Sequence, residues 1–350
     1  VDAQRRLTEA EVPDYLRGVG LVGRGEAVRV EPAGDGNINW VRRATAEGPP
    51  QRSYVLKQAR PALERFPQYH APTERIVCEA RYLERVRPWD SEGVCPRVHH
   101  FDEPNRILVL EDLGRAERLD DALARGAGAS PALAALARFL GRVHRETRGD
   151  ASLLPAFANG PMRRLHGDHI FALPFQPNDF PLPPRTAERA AELRGDAALC
   201  AAAERAYADY LAPRGALVHG DVQAGNILLP DGGVKLLDAE IAHVGDPAFD
   251  VGMLLAHALL PAAAAGRAAS AHAVLSQCWQ AYVVAHGVAE LPPLARALRY
   301  AGFELLRRTI GAARVAAVAG DAAGLRVIEA GLALVREGSF AGLRGTGALA

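Results

Sequence analysis

The chain has 350 residues, 49% of them hydrophobic and 23% charged, enough to bury substantial cores in two lobes. Its 41 basic and 41 acidic residues cancel, a balance that argues against a general nucleic-acid or membrane-surface binder. Cys78, Cys95, Cys200 and Cys278 stand far apart with no CxxC pair, so reduced thiols in a cytoplasmic protein are expected rather than disulfides or zinc.

The opening VDAQRRLTEAE carries no apolar signal core. The longest apolar run, Val251 to Ala265, is interrupted by His257 and Pro261, so neither export nor a membrane span is expected. The first informative stretch is Gly34-Asp35-Gly36-Asn37-Ile38-Asn39, a turn signature that by itself is common in hairpins. Its meaning comes from the extended run Tyr54-Val55-Leu56-Lys57 behind it. Only two of the 41 cationic side chains are lysine, Lys57 and Lys235; the other 39 are arginine. A lysine kept against that bias suits a task needing a compact ammonium with rotatable donors, which a planar guanidinium does not supply. Lys57 is therefore the candidate phosphate ligand, under a covering loop of Gly34, Asp35, Gly36 and Asn37. Lys235 reads as a solvated strand residue.

Thr73 to Val86 follows a helical period with Ile76, Ala80, Leu83 and Val86 apolar, and Glu79, before Glu84, is the expected partner of Lys57. Ile107 to Leu110 is a short buried strand. It leads into Glu111, Asp112 and Leu113, whose backbone groups would hold an adenine edge. Helical patterns dominate afterwards, which divides the chain into an N-terminal lobe, 1–113, and a C-terminal lobe, 114–350. Leu133 to Arg145 is an amphipathic helix, Phe171 to Pro184 a proline-rich loop, and Pro261 to Ala271 an alanine-rich surface helix or loop.

The densest chemistry lies in Leu217 to Glu240, LVHGDVQAGNILLPDGGVKLLDAE. Ile227-Leu228-Leu229 and Val234 to Leu237 read as two strands joined by the turn Pro230-Asp231-Gly232-Gly233, which brings Asn226 near Asp238. Asp221 precedes Asn226 by five residues, the separation of base and metal ligand in a kinase catalytic loop. Asp221 is expected to take the proton of a substrate hydroxyl, Asn226 and Asp238 to hold Mg²⁺ with ATP, and Glu240 to reach a second ion or its water shell. A single HGD or DxE is ordinary loop chemistry; the conjunction points to phosphoryl transfer. The second HGD, His166-Gly167-Asp168, has Leu173 at the asparagine offset and no carboxylate hairpin after it, so it reads as structural. Only eleven residues separate Asp238 from Asp250, too few for a peptide-docking activation segment.

With these motifs, the chain resembles the aminoglycoside phosphotransferase and choline kinase group, and within it the 5-methylthioribose kinases. The resemblance runs from Leu7-Thr8 through the Gly34 to Asn39 loop, Val55-Leu56-Lys57-Gln58, Leu110-Glu111-Asp112-Leu113, His219-Gly220-Asp221, Asp238-Ala239-Glu240 and Phe249-Asp250-Val251-Gly252 to Arg307-Arg308-Thr309-Ile310-Gly311. It implies an α+β, two-lobed protein-kinase-like fold with a small, mainly antiparallel β lobe and a larger helical lobe. It also implies a homodimer, a role in methionine salvage, and transfer of the ATP γ-phosphate to the anomeric hydroxyl of 5-methylthioribose. Asn226 stands where that branch usually has serine, and Phe66 to His70 replaces a tryptophan-bearing segment. Other small hydroxyl acceptors (an aminoglycoside, choline, homoserine, another sugar) and a nucleotide-binding pseudokinase are the alternatives.

Arg307 and Arg308 lie in a helical stretch with Leu294, Leu298, Leu305 and Ile310 apolar, and neighbours in a helix point about 100° apart. Composition alone favours solvated arginines; the resemblance implies that the pair reaches the acceptor pocket. Residues 296 to 350 hold eight arginines against four acids, a wall that would repel a polycationic acceptor if it lined that pocket.

Overall fold

The first strands build one antiparallel sheet, and the computed structural model describes residues 4–34, 39–62, 71–126, 128–287 and 291–345. Asp35, Gly36 and Asn37, and the Phe66 to His70 segment, lie outside the described residues. After helix α1 (Val12–Gly18) come β1 (Ala27–Pro32), β2 (Trp40–Glu47), β3 (Arg52–Gln58), helix α2 (Arg75–Val86), β4 (Val98–Asp102) and β5 (Ile107–Glu111). The strand order is β1-β2-β3-β5-β4, each neighbour antiparallel.

Side chains on a strand alternate between faces, and here each face has its own core. Leu56, Ile107 and Val109 pack with Leu7, Leu16 and Trp40 in a small cluster. Leu108 and Leu110 turn the other way and join Ile76, Ala80 and Leu83 of α2 in the large core. By the same alternation Lys57, next to Leu56, falls on the α2 side of the sheet, opposite Leu108 and Val41 in register.

The remainder is mainly helical: β6 (Glu117–Arg118), α3 (Leu119–Ala124), α4 (Ser130–Thr147), α5 (Gly160–Gly167), α6 (Pro184–Gly195), α7 (Ala197–Leu211), β7 (Ala216–Val218), β8 (Ile227–Leu229), β9 (Lys235–Leu236), β10 (His243–Gly245), α8 (Pro247–Ala264), α9 (His272–His286), α10 (Leu294–Ile310) and α11 (Asp321–Glu337). Helix α8 is the centre of this lobe. It runs unbroken through His257 and Pro261, and is long and apolar enough to cross a membrane. Here 78% of that apolar window is buried inside the protein. The alanine-rich stretch after Pro261 lies at the surface with one side turned inward: Ala265, Arg267, Ala269 and Ser270 are exposed, while Ala263, Ala264, Ala268 and Ala271 are buried. Hydrophobicity all round a helix marks burial, and no face of α8 was available for solvent.

Helices α10 and α11 approach closely because Gly302 faces Gly331. A Cβ built on Gly302 would stand 2.5 Å from the Gly331 carbonyl oxygen and 2.7 Å from a Val335 methyl. Gly302→Val should therefore cost roughly 1–3 kcal/mol or more through overpacking. Urea unfolding measures it; an unchanged midpoint would show that the two helices separate freely.

Candidate active site

The catalytic hairpin forms as its sequence pattern requires, with Ile227 opposite Leu236 and Leu228 opposite Lys235. The Leu237 amide donates to the Asn226 carbonyl at 2.8 Å, which sets Asn226 and Asp238 side by side. Lys235 is not solvated: its Nζ reaches Glu111 Oε2 at 2.9 Å and the Cys95 carbonyl at 3.3 Å. The hairpin is thus tied to the end of β5. Glu111 in turn donates its amide to the Arg97 carbonyl, and Asp112 accepts from Arg43 Nε, Ser53 Oγ and the Gly114 amide, so both side chains brace the segment proposed to meet adenine.

Upstream, the loop after β7 hangs from a buried carboxylate. The amides of His219 and Gly220 donate to Asp250 Oδ2 and Oδ1 at 2.7 and 2.9 Å. Burial alone would raise the Asp250 carboxyl, but His144, 3.3 Å away, and these amides hold it below its ordinary range. Gly220 has φ +84°, and a Cβ there would meet the Ile241 carbonyl oxygen at 2.6 Å. Only glycine fits this turn.

Asp221 follows. Its Oδ2 accepts from Asn226 Nδ2 at 2.8 Å and Gln223 Nε2 at 2.9 Å, while Oδ1 is buried with no hydrogen-bond partner among the described residues. Burial raises its carboxyl to about 6, against the downward pull of Arg307, Arg308 and the two amides. It is ionised at neutral pH yet basic for a carboxylate, which suits it to accept a hydroxyl proton.

Lys57 is the hub of the opposite wall. Its Nζ lies 2.7 Å from Glu79 Oε2, 2.7 Å from Asp238 Oδ1 and 2.6 Å from Glu240 Oε1. Burial would depress the ammonium, but Asp238, Glu240 and Glu79 outweigh it and hold Lys57 well above its usual range. Burial pushes the Glu79 carboxyl up, Lys57 draws it back, and the Glu240 and Asp238 carboxylates add to the rise. Glu79 is thus the lysine's partner and Glu84 is exposed. Glu240 is less free than a metal ligand would be: besides Lys57 it takes Asn39 Nδ2 at 2.5 Å and Arg75 Nε at 3.3 Å. Asp238 keeps 47% of its side chain exposed and sits at φ 64°, a conformation that non-glycine residues adopt at a cost. Asn159 braces the strained segment by donating to the Glu240 and Ala242 carbonyls.

Asn39, Lys57, Met162, Asp221, Gln223, Asn226, Asp238 and Glu240 line one cleft of about 190 Å³. A larger cavity of about 300 Å³, between His144, Arg214, Asp246 and Pro292, contains none of them. Arg307 and Arg308 are buried, which excludes the solvated reading, but they stand behind the cleft rather than lining it. Both pair with Glu304, at 3.1 and 2.6 Å, and Arg308 Nη2 reaches Gln223 Oε1 at 2.5 Å. The wider arginine wall is dispersed: Arg296 pairs with Asp246, Arg326 with the Ala264 carbonyl and Arg336 with Asp196.

The second HGD divides. Asp168 accepts from Tyr207 Oη at 2.7 Å, a structural contact, whereas His166 reaches the site. Its Nε2 lies 3.4 Å from Arg307 Nη1 and 3.7 Å from Asp221 Oδ1. Met162, one helical turn earlier on α5, lines the cleft, and that i,i+4 relation was the signal in the sequence. Arg75 and Asp250 had no such signal, since their partners Asn39, Glu240, His144 and His219 lie far away along the chain, whereas Gln223 and Glu304 were missed although Asp221, Arg307 and Arg308 are near them in sequence.

The donor set fits a hard cation. Asn226 has committed its NH₂ to Asp221, leaving its amide oxygen beside the half-exposed Asp238 carboxylate. No group of three or more His, Cys, Asp or Glu poised for a metal occurs among the described residues. Mg²⁺ characteristically takes one or two protein oxygens and completes its shell with phosphates and water.

The profile of the APH phosphotransferase enzyme family matches residues 29–288. The chain belongs to this family. A methylthioribose kinase of Bacillus cereus is 28% identical over 344 residues, covering 89% of this chain and 86% of that protein. A methylthioribose kinase of Pectobacterium carotovorum is 27% identical over 384 residues, covering 95% and 91%. The solved choline/ethanolamine kinase family protein from Mesorhizobium loti superposes with a TM-score of 0.52 at 18% identity, over 93% of this chain and 98% of that one, and shows the shared protein-kinase-like fold. This APH-family phosphotransferase is an ATP-dependent small-molecule kinase.

Because three carboxylates converge on one ammonium, the shape of the cation is decisive. Lys57→Arg should lower kcat/KM for ATP by about tenfold or more, the loss of one charge-assisted hydrogen bond. Steady-state kinetics with varied ATP test it; wild-type values would remove Lys57 from the phosphate site.

Proposed function

We propose that the enzyme transfers the γ-phosphate of ATP, with Mg²⁺, to the 1-hydroxyl of 5-methylthioribose, a reaction of methionine salvage. The convergence of Lys57, Asp221, Asn226 and Asp238 on one cleft carries the phosphoryl-transfer half of this reading. Asp221 orients the acceptor hydroxyl and takes its proton, and Lys57 meets the phosphates once nucleotide draws it from Asp238. Asn226 and Asp238 would hold Mg²⁺, which neutralises charge on the transferring phosphoryl group when bound.

The acceptor half is supported by the two methylthioribose kinases, similar over nearly the whole chain. The charge behind Asp221 agrees with it. Arg307 and Arg308 project positive charge toward the base, which opposes the rise that burial gives the Asp221 carboxyl, and the same field disfavours an ammonium-bearing acceptor such as an aminoglycoside or choline.

Two measurements test the parts separately. Across 5-methylthioribose, other pentoses, choline, homoserine and an aminoglycoside, methylthioribose should give the highest kcat/KM; a higher value for another acceptor overturns the substrate assignment. Asp221→Asn should lower kcat by about 10² or more while ATP binding survives, and Asp168→Asn should leave turnover near wild type. Normal turnover in Asp221→Asn would reject the base.

A further inference from the structure

We propose that Gln223 is a positioning residue that fixes the orientation of the Asp221 carboxylate toward the acceptor, an inference that rests on the reading of Asp221 as the base. Its amide orientation follows from chemistry alone. Arg308 Nη2 only donates, so the Gln223 atom 2.5 Å from it is the carbonyl Oε1. That leaves Nε2 to donate to Asp221 Oδ2, at 2.9 Å. Asn226 Nδ2 donates to the same oxygen at 2.8 Å.

Oδ2 therefore carries two amide hydrogen bonds, each stabilising negative charge on it, and Oδ1 carries none among the described residues. The polar atom facing Oδ1 is His166 Nε2, 3.7 Å away. That nitrogen also faces Arg307 Nη1, which can only donate, so Nε2 is an acceptor and offers Oδ1 no proton. Oδ1 is enclosed, so the two amide donors on Oδ2 fix the turn of the carboxylate. In the reaction the acceptor O–H bond breaks, its proton passes to the Asp221 carboxylate, the hydroxyl oxygen bonds to the γ-phosphorus, and the bond from that phosphorus to the bridging oxygen of ADP breaks.

Gln223 is itself held. Arg308 Nε binds Glu304 Oε1 at 2.6 Å, and the same oxygen meets His257 Nε2 at 3.2 Å. Donors and acceptors alternate from α8 through α10 to the base, so Arg308 acts on Asp221 through Gln223.

The test compares Gln223→Met, which keeps the length and removes both polar ends, with Gln223→Glu, which can accept from Arg308 but cannot donate to Asp221. With 5-methylthioribose and Mg·ATP, Gln223→Met should lower kcat about tenfold with the ATP KM within about twofold, and Gln223→Glu should lower it further. Arg308→Met should also lower kcat, and the double variant Gln223→Met/Arg308→Met should be no slower than the slower single one, as for groups acting through one another. Full kcat in Gln223→Met, a faster Gln223→Glu, or additive losses in the double variant would overturn the proposal. Loss of the fold in both single Gln223 variants, read by thermal melting, would assign Gln223 to stability and overturn it too. Wild-type inactivity toward methylthioribose sinks the substrate reading alone, and the comparison is then made with the acceptor that the panel identifies. Normal turnover in Asp221→Asn sinks the base and this inference together, whereas an inactive Asp221→Asn beside a normal Gln223→Met sinks only the inference.

Discussion

One buried ammonium holds the site together. Lys57 comes from the third strand, Glu79 from the helix packed on that sheet, and Asp238 and Glu240 from the catalytic hairpin, and all three carboxylates reach Nζ within 2.7 Å. Removing one partner from a buried ion cluster leaves an uncompensated charge, a loss of about 3–5 kcal/mol. The cluster therefore specifies how sheet, helix and hairpin meet, more than it stabilises each of them. Arg75, fully buried at the start of the helix, extends it by joining Asn39 Oδ1 to Glu240.

The three carboxylates outnumber the ammonium, and Asp238 is the most exposed of them. Under the proposed mechanism Asp238 would exchange Lys57 for a cation and phosphates, while Glu79 and Glu240, with 2% and 8% of their side chains exposed, would keep the lysine aligned. On the other wall, Asp250 anchors the loop through the amides of His219 and Gly220, so main chain sets where Asp221 stands while Gln223 and Asn226 orient its carboxylate.

Much of this was legible because the chemistry is local. The hairpin of Asn226 and Asp238 follows from two apolar runs and a Pro-Asp-Gly-Gly turn, and Asp221 lies five residues upstream. Lys57 stood out against the arginine bias, and its place in the first half of the helix favoured Glu79 over Glu84. Lys235 escaped because its partner Glu111 is 124 residues away.

The sequence by itself determined the identity and spacing of the candidate reacting groups, since Asp221, Asn226 and Asp238 are set on and just before one hairpin by local backbone geometry. Tertiary structure alone decided their environment. It buried His166 beside Asp221, although its motif read as a decoy, and it set Arg307 and Arg308 behind the cleft, where Glu304 neutralises part of their charge and Gln223 carries their influence to the base. Burial and orientation depend on which segments pack together, and that information is spread over the whole core rather than held in any one motif.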